Sequence, residues 1–352
     1  MKVEPGGTIG IIGGGQLGKM LAVAAAQLGY KCHIFAPDAE PCAAAVAAQF
    51  TRADYSDADA LREFAAAVDV ATYEFENIPA SSLAAIENKL RPGIASLQIG
   101  QDRMAEKQFI ERSGGRVSKW MPVDSEATAI AAADHLGVPL VLKTRRLGYD
   151  GKGQAWAQTP ASMAAAWESI GRQPAVAEAR VEFEAEFSMI VARTDSEVAA
   201  WDPPLNEHSD GILRRSSVPA NGIVQAQRDE ALGIAGAIAD ALRHIGVLTV
   251  EFFACADGPV VNEIAPRVHN SGHWTIEGSV TSQFEQHVRA ICGLPLGSTQ
   301  RVTASASMQN LIGDDIDEWP HLVAEGGASV HIYGKGQPRP GRKMGHVTRL
   351  SS

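Results

Sequence analysis

Between Thr8 and Tyr73 the chain alternates short apolar β-rich runs with stretches of helical periodicity: Thr8–Ile12, Gln16–Leu28, Lys31–Phe35, Asp57–Ala67 and Val70–Tyr73. Strands this apolar need cover on both faces, and a helix between two of them is the crossover that a parallel pair requires. The order predicts a doubly wound parallel sheet, Rossmann-like, ending near residue 98. Between its first strand and helix stands Gly13-Gly14-Gly15-Gln16-Leu17-Gly18, a G-x-G-x-x-G whose N–H groups and helix dipole suit an anion. Asp38 follows about twenty residues on, as in nicotinamide dinucleotide enzymes. The plain alternative is a tight turn without a ligand.

The remainder cannot belong to the same core, because 352 residues exceed what one core usually holds. A helix at Asp102–Arg112 stops at Gly114-Gly115. Residues 117–178 read as a small lid: helix Ala127–Leu136, strand Leu140–Lys143, a glycine-rich turn, strand Gln154–Ala157 and a helix near Pro160–Ile170. Strands at Phe187–Arg193 and Val247–Cys255 and helices at Asp229–His244 and Val280–Ile291 follow. From Arg301 the tail reads as short strands and turns. The expected division is 1–98, 99–296 and a β-rich 297–352.

A net charge of −10 repels a phosphate backbone, so nucleic acid is not an expected partner. No apolar run approaches the about 20 residues of a spanning helix, and Met1–Gly7 lacks a basic start followed by an apolar stretch. Neither a membrane segment nor a secretion signal is expected, and the cytoplasm is the expected location. Cys32, Cys42, Cys255 and Cys292 show no metal or disulfide spacing, which predicts buried free thiols.

Two further motifs carry chemistry. Strand Leu140–Lys143, the loop Gly148-Tyr149-Asp150-Gly151-Lys152-Gly153 and strand Gln154–Ala157 form a hairpin, where a Walker loop would run into a helix. Three glycines in six residues let backbone approach phosphate oxygens, and Lys143 and Lys152 add charge. The second motif is Val247–Cys255 and Pro259–Ile264 joined by Ala256-Asp257-Gly258, which pairs Glu251 with Glu263. Two carboxylates about 4 Å apart repel by about 4 kcal/mol at an effective dielectric near 20. Such a pair calls for a compensating charge, which a hard dication bound through carboxylates and ATP phosphates supplies. The following Ala265–His273 is dense in donors, and Arg267 and His269 suit negative charge developing on a phosphoryl or carboxyl group.

The set Lys143, 149–154, Glu178, Glu186, Glu251 and Asn262-Glu263 resembles the ATP-grasp superfamily, whose members hold ATP between two α+β lobes. With Gly13–Gly18, the run Thr72-Tyr73-Glu74-Phe75-Glu76-Asn77, 262–273 and Arg339–His346, nearly the whole chain is similar to the 5-(carboxyamino)imidazole ribonucleotide synthase family of purine biosynthesis. The resemblance implies a ligase that uses ATP, two Mg²⁺ ions and bicarbonate to carboxylate the amine of 5-aminoimidazole ribonucleotide through carboxyphosphate, and a homodimer.

It also implies roles. Arg103 and Lys143 contact ATP, the Gly148–Gln154 flap covers its phosphates, Glu178, Ala179, Arg180 and Val181 hold the adenine edge, and Glu186 takes the ribose with His208 nearby. Glu251 and Glu263 hold magnesium, with Asn262 beside them, and Arg267, His269 and Asn270 serve bicarbonate. Gln16, Leu17, Glu76, Tyr149, Asp150, Lys335 and Arg342 bind the imidazole nucleotide, so the early glycine loop belongs to that nucleotide. A dinucleotide oxidoreductase leaves Glu251 and Glu263 idle. A sister ligase of the glycinamide ribonucleotide or biotin carboxylase type uses the same ATP site, and a nucleotide-binding scaffold is the remaining alternative.

Overall fold

The computed structural model describes residues 2–148 and 152–351. Strands β1 (Thr8–Ile12), β2 (Lys31–Ala36), β3 (Gln49–Arg52) and β4 (Val70–Tyr73) form a parallel sheet in the order β3-β2-β1-β4. The central strands are buried almost throughout, as their unbroken apolar runs require. Helix Gln16–Gln27 crosses between β1 and β2, and helix Ala58–Ala66 starts at Asp57, whose carboxylate accepts the N–H groups of Asp59 and Ala60.

A four-stranded antiparallel lid follows: β5 (Trp120–Val123), β6 (Leu140–Thr144), β7 (Gln154–Ala157) and β8 (Ala175–Ala179), in the order β5-β8-β6-β7. Helices Glu126–Leu136 and Met163–Ser169 cover it and share an apolar cluster with Leu140, Leu142 and Ala177.

Nine strands build the large sheet: β9 (Ala185–Arg193), β10 (Val198–Ala200), β11 (Leu205–Ser209), β12 (Ile212–Val218), β13 (Gly246–Cys255), β14 (Gly258–Ala265), β15 (Ser305–Ile312), β16 (Ala328–Ile332) and β17 (Lys343–Ser351). The order is β14-β13-β9-β11-β12-β15-β17-β16, with β10 beside β9. The tail therefore departs from the expected short strands and turns. Its strands of eight and nine residues continue the same sheet by pairing β15 with β12, and a helix spans Trp319–Ala324. The hairpin Leu205–Ser209/Ile212–Val218 is missed by periodicity because its polar and charged residues hide the β signal. Helix Gln283–Ile291 begins three residues later than expected, with Ser282 as its N-cap.

One apolar cluster joins the first sheet, the large sheet and the tail through Ile9, Leu21, Ile190, Trp274, Phe284, Met308 and Tyr333. Helix Gln283–Ile291 lies within this joint, packed on helix Gln16–Gln27 and on β13. All four cysteines are buried and free. No helix among the described residues is long and apolar enough to cross a membrane.

Candidate active site

The early glycine loop forms as a strand-to-helix turn, but its anion is internal. The Glu74 carboxylate at the end of β4 accepts the N–H groups of Gly15 and, at 2.8 Å, of Gly18. A Cβ on Gly13 would stand 2.3 Å from Glu74 Cγ, and Gly13 has φ +115°, so this position needs glycine to admit that side chain. Glu74 thus uses two of the amides that the sequence offers to a substrate phosphate, those of Gly15 and Gly18. Gln16 and Leu17, beside them, line the main cleft.

That cleft has a volume of about 910 Å³ and is walled by the lid, the large sheet and the edge of the first sheet. The lid supplies Lys143, Gly148, Gln154, Glu178, Ala179, Arg180 and Val181, and the large sheet supplies Glu186, His208, Glu251, Asn262 and Glu263. Gln16, Leu17, Glu76, Arg103, Arg267, His269 and Asn270 complete the predicted residues found there. Lys152 and Gly153 lie in the β6–β7 turn, where Lys143 pairs with Gln154 and the Thr144 N–H reaches the Gly153 carbonyl at 2.8 Å. Tyr149, Asp150 and Gly151 fall outside the described residues.

Lys335 and Arg342 stand apart from the cleft wall. The Lys335 ammonium lies 5.5 Å from the centre of the Tyr333 ring, and burial together with the nearby Arg342 and Lys343 pushes its pKa down to about 8. Arg342 closes a turn by donating its N–H to the Arg339 carbonyl at 3.0 Å. Cys42 and Glu74 also lie within electrostatic reach of Lys335, so Lys335 faces the first domain.

Glu251 and Glu263 are register partners across β13 and β14, with a bulge just after Glu251. Each of them meets a basic side chain of the protein. His269 Nε2 lies 2.9 Å from Glu251 Oε1, and Arg103 Nη1 lies 3.3 Å from Glu263 Oε2. Burial alone would raise the Glu251 pKa, but His269, His208 and Lys343 hold it down to about 2, so the group stays ionised. Among the described residues no cluster of three or more His, Cys, Asp or Glu could hold a metal by itself. Two facing carboxylates fit Mg²⁺, which takes one or two carboxylates and fills its shell with water and substrate phosphates.

Further ion pairs order the wall. Arg267 Nη2 meets Glu76 Oε1 at 2.7 Å, and His208 Nδ1 meets Glu186 Oε2 at 2.8 Å. His269 caps the short turn Asn270–Gly272. Glu178 is held between two ammonium groups, Lys143 at 3.0 Å and Lys107 at 3.1 Å. Its carboxylate is thus engaged within the wall. Burial opposes its ionisation, but Lys143 and Lys107 bring its pKa to about 2.

Sequence reasoning misses Lys107 and Glu106, both buried on helix Arg103–Arg112. Glu106 accepts the Ile264 N–H at 2.6 Å, and burial and Glu263 raise its pKa to about 8. Arg103, Glu106 and Lys107 share one helix face at i, i+3, i+4 spacing, which in sequence reads as a solvated charged stripe, and only the packing of the helix on β14 buries it. The apolar wall of Val141, Trp156, Phe183 and Phe253 is also missed. Phe183 and Phe253 stack at 4.6 Å between ring centres, from separate strand and loop segments.

Family models match along the chain: a ribonucleotide synthetase preATP-grasp domain at residues 7–101, an ATP-grasp domain at 108–284, and a phosphoribosylaminoimidazole carboxylase C-terminal domain at 306–352. The N5-carboxyaminoimidazole ribonucleotide synthase of Brucella melitensis is 50% identical, with 99% of this chain and 97% of that protein covered. The crystal structure of N5-carboxyaminoimidazole synthetase from Staphylococcus aureus complexed with ADP superposes with a TM-score of 0.94 at 37% identity, covering 100% of this chain and 95% of that one. N5-carboxyaminoimidazole synthase from Aspergillus clavatus, in complex with ADP and 5-aminoimidazole ribonucleotide, gives 0.92 at 29% identity, covering 98% and 94%. With this likeness running from the first sheet to the last strand, the chain belongs to the N5-carboxyaminoimidazole ribonucleotide synthase family of the ATP-grasp ligases.

Proposed function

We propose that this chain carboxylates the amine of 5-aminoimidazole ribonucleotide in purine biosynthesis, using ATP and bicarbonate and releasing ADP and phosphate. The observation that most supports this is that one cleft gathers Lys143 and the lid, the facing Glu251 and Glu263, and the donor-rich Arg267, His269 and Asn270. A bicarbonate oxygen attacks the γ-phosphorus of ATP and ADP leaves, giving carboxyphosphate. The amine then takes the carboxyl carbon, phosphate departs and the amine loses a proton.

The residues have separate tasks. Lys143, held in place by Glu178, attracts the ATP phosphates, with Arg103 beside it, and Glu186 and His208 take the ribose end. Magnesium, when bound by Glu251 and Glu263, supplies positive charge against the phosphate oxygens. Arg267, His269 and Asn270 hold the bicarbonate oxygens in a site largely shielded from water, where hydrogen bonds to developing charge are strongest. Gln16, Leu17, Glu76, Lys335 and Arg342 take the imidazole nucleotide. Two Mg²⁺ ions, a homodimer, a cytoplasmic location and the units 1–98, 99–296 and 297–352 belong to the same proposal.

ADP release is the test, measured with ATP, magnesium and bicarbonate, with and without 5-aminoimidazole ribonucleotide. Strong stimulation by the nucleotide is expected. No stimulation would favour a sister ATP-grasp ligase.

A further inference from the structure

The turn that carries His269 and Asn270 has little rigidity of its own, being a single short turn of three residues. Two buried primary amides from outside it hold it in place. Gln283, the first residue of helix Gln283–Ile291, accepts the His269 N–H on Oε1 at 2.9 Å and donates Nε2 to the His269 carbonyl at 2.6 Å. A backbone N–H only donates and a carbonyl only accepts, so the orientation of this amide is forced. Gly272 makes the room, since a Cβ there would stand 2.6 Å from Gln283 Oε1.

Asn310, on β15, does the same for the next side chain. Its Nδ2 donates to the Leu213 carbonyl at 2.8 Å and to Asn270 Oδ1 at 2.6 Å, and its Oδ1 accepts from Asn270 Nδ2 at 2.9 Å. The Leu213 carbonyl accepts only, which fixes both amides. The reciprocal pair uses one hydrogen of the Asn270 amide and leaves the second available to the cleft that Asn270 lines.

The geometry points to Gln283 and Asn310 as positioning residues for the carboxyl-transfer end of the site: Gln283 sets the backbone at His269 and Asn310 sets the amide plane of Asn270. This rests on the reading of His269 and Asn270 as bicarbonate residues. Neither Gln283 nor Asn310 lines the cleft, so each acts through its partner. Asn310 lies within 306–352, the part matched by the C-terminal family model, and through Asn270 that part reaches a group of residues, Arg267, His269 and Asn270, that lies in the ATP-grasp region. Displacement of a reacting group by about 1 Å can cost a hundredfold in rate.

The test uses the full chain and follows the bicarbonate and ATP dependence of ADP release in the presence of 5-aminoimidazole ribonucleotide. Asn310→Leu and Gln283→Met keep volume and remove the hydrogen bonds. Each should lower kcat/KM for bicarbonate by about ten- to a hundredfold and leave KM for ATP within about twofold. Added to Asn270→Ala, Asn310→Leu should cause almost no further loss, because its partner is already gone. If the apolar variants fail to bind ADP and so have not folded, Asn310→Ser and Gln283→Glu make the same comparison with polar side chains. Equal losses for ATP and bicarbonate, full additivity with Asn270→Ala, or wild-type bicarbonate dependence would overturn the positioning role. Unchanged bicarbonate dependence in His269→Ala and Asn270→Ala would instead overturn the reading beneath it.

Discussion

The Glu74 carboxylate accepts the Gly18 N–H at 2.8 Å, closing the start of helix Gln16–Gln27 with an anion supplied by the chain 56 residues away. Burial raises the Glu74 pKa, against the pull of the Gly18 and Gly15 amides. Glu74→Ala leaves both amides without this partner and should cost about 1–3 kcal/mol in urea unfolding. Glu74→Gln, which keeps one acceptor oxygen, should cost less. An unchanged unfolding midpoint in the alanine variant would mean that these amides find another acceptor.

Glu178 predicts how stability changes in acid. Its folded pKa of about 2 lies below the ordinary 4.5, so its ionised form is favoured by folding. The stability it contributes is present above pH 4.5 and is lost as the pH falls from 4.5 towards 2. Glu178→Gln leaves two buried ammonium groups side by side and should destabilise by about 3–5 kcal/mol near neutrality. Its unfolding midpoint should also vary less than that of wild type across the acid window. A parallel pH dependence in the two proteins would remove Glu178 as the origin.

Glu263→Gln should abolish turnover and leave the fold intact, because the β13–β14 hairpin keeps its apolar packing through Val261 and Ile264 while one oxygen donor to magnesium is lost. Relief of the repulsion with Glu251 offsets the lost contact with Arg103. Circular dichroism checks the fold and a magnesium titration checks the activity. Near-normal rates at saturating magnesium would refute the metal role.

Arg342→Ala tests the nucleotide end. The turn from Arg339 to Arg342 and the partly buried Lys335 keep two cations close enough to lower the Lys335 pKa, as a phosphate monoester would require. The variant should raise KM for 5-aminoimidazole ribonucleotide about ten- to a hundredfold, the worth of one charged hydrogen bond. ATP and bicarbonate dependence should hold. A wild-type preference for the nucleotide over its dephosphorylated nucleoside would place the phosphate contact elsewhere.

Local spacing is enough to determine part of this protein. The alternation from Thr8 to Tyr73 dictates a parallel sheet, because strands apolar on both faces must be covered by their own crossovers. The glycine at 258 marks the β13–β14 hairpin, but its turn is the two residues Ala256 and Asp257, which sets Cys255 against Gly258, and Glu251 meets Glu263 because a bulge after Glu251 shifts the register by one. The glycine density of 148–153 marks the lid hairpin in the same way.

Contacts between distant residues decided the rest. The first glycine loop looks open to a ligand in sequence, and only folding brings Glu74 onto its amides. Lys107 reads as an ordinary surface charge until helix Arg103–Arg112 packs and buries it against Glu178. Asn310 meets Asn270 only because β15 pairs with β12, 40 residues and a turn of the sheet away from the loop it steadies. Polar groups buried in this way find their partners through strand order and helix docking, which no local pattern of residues encodes.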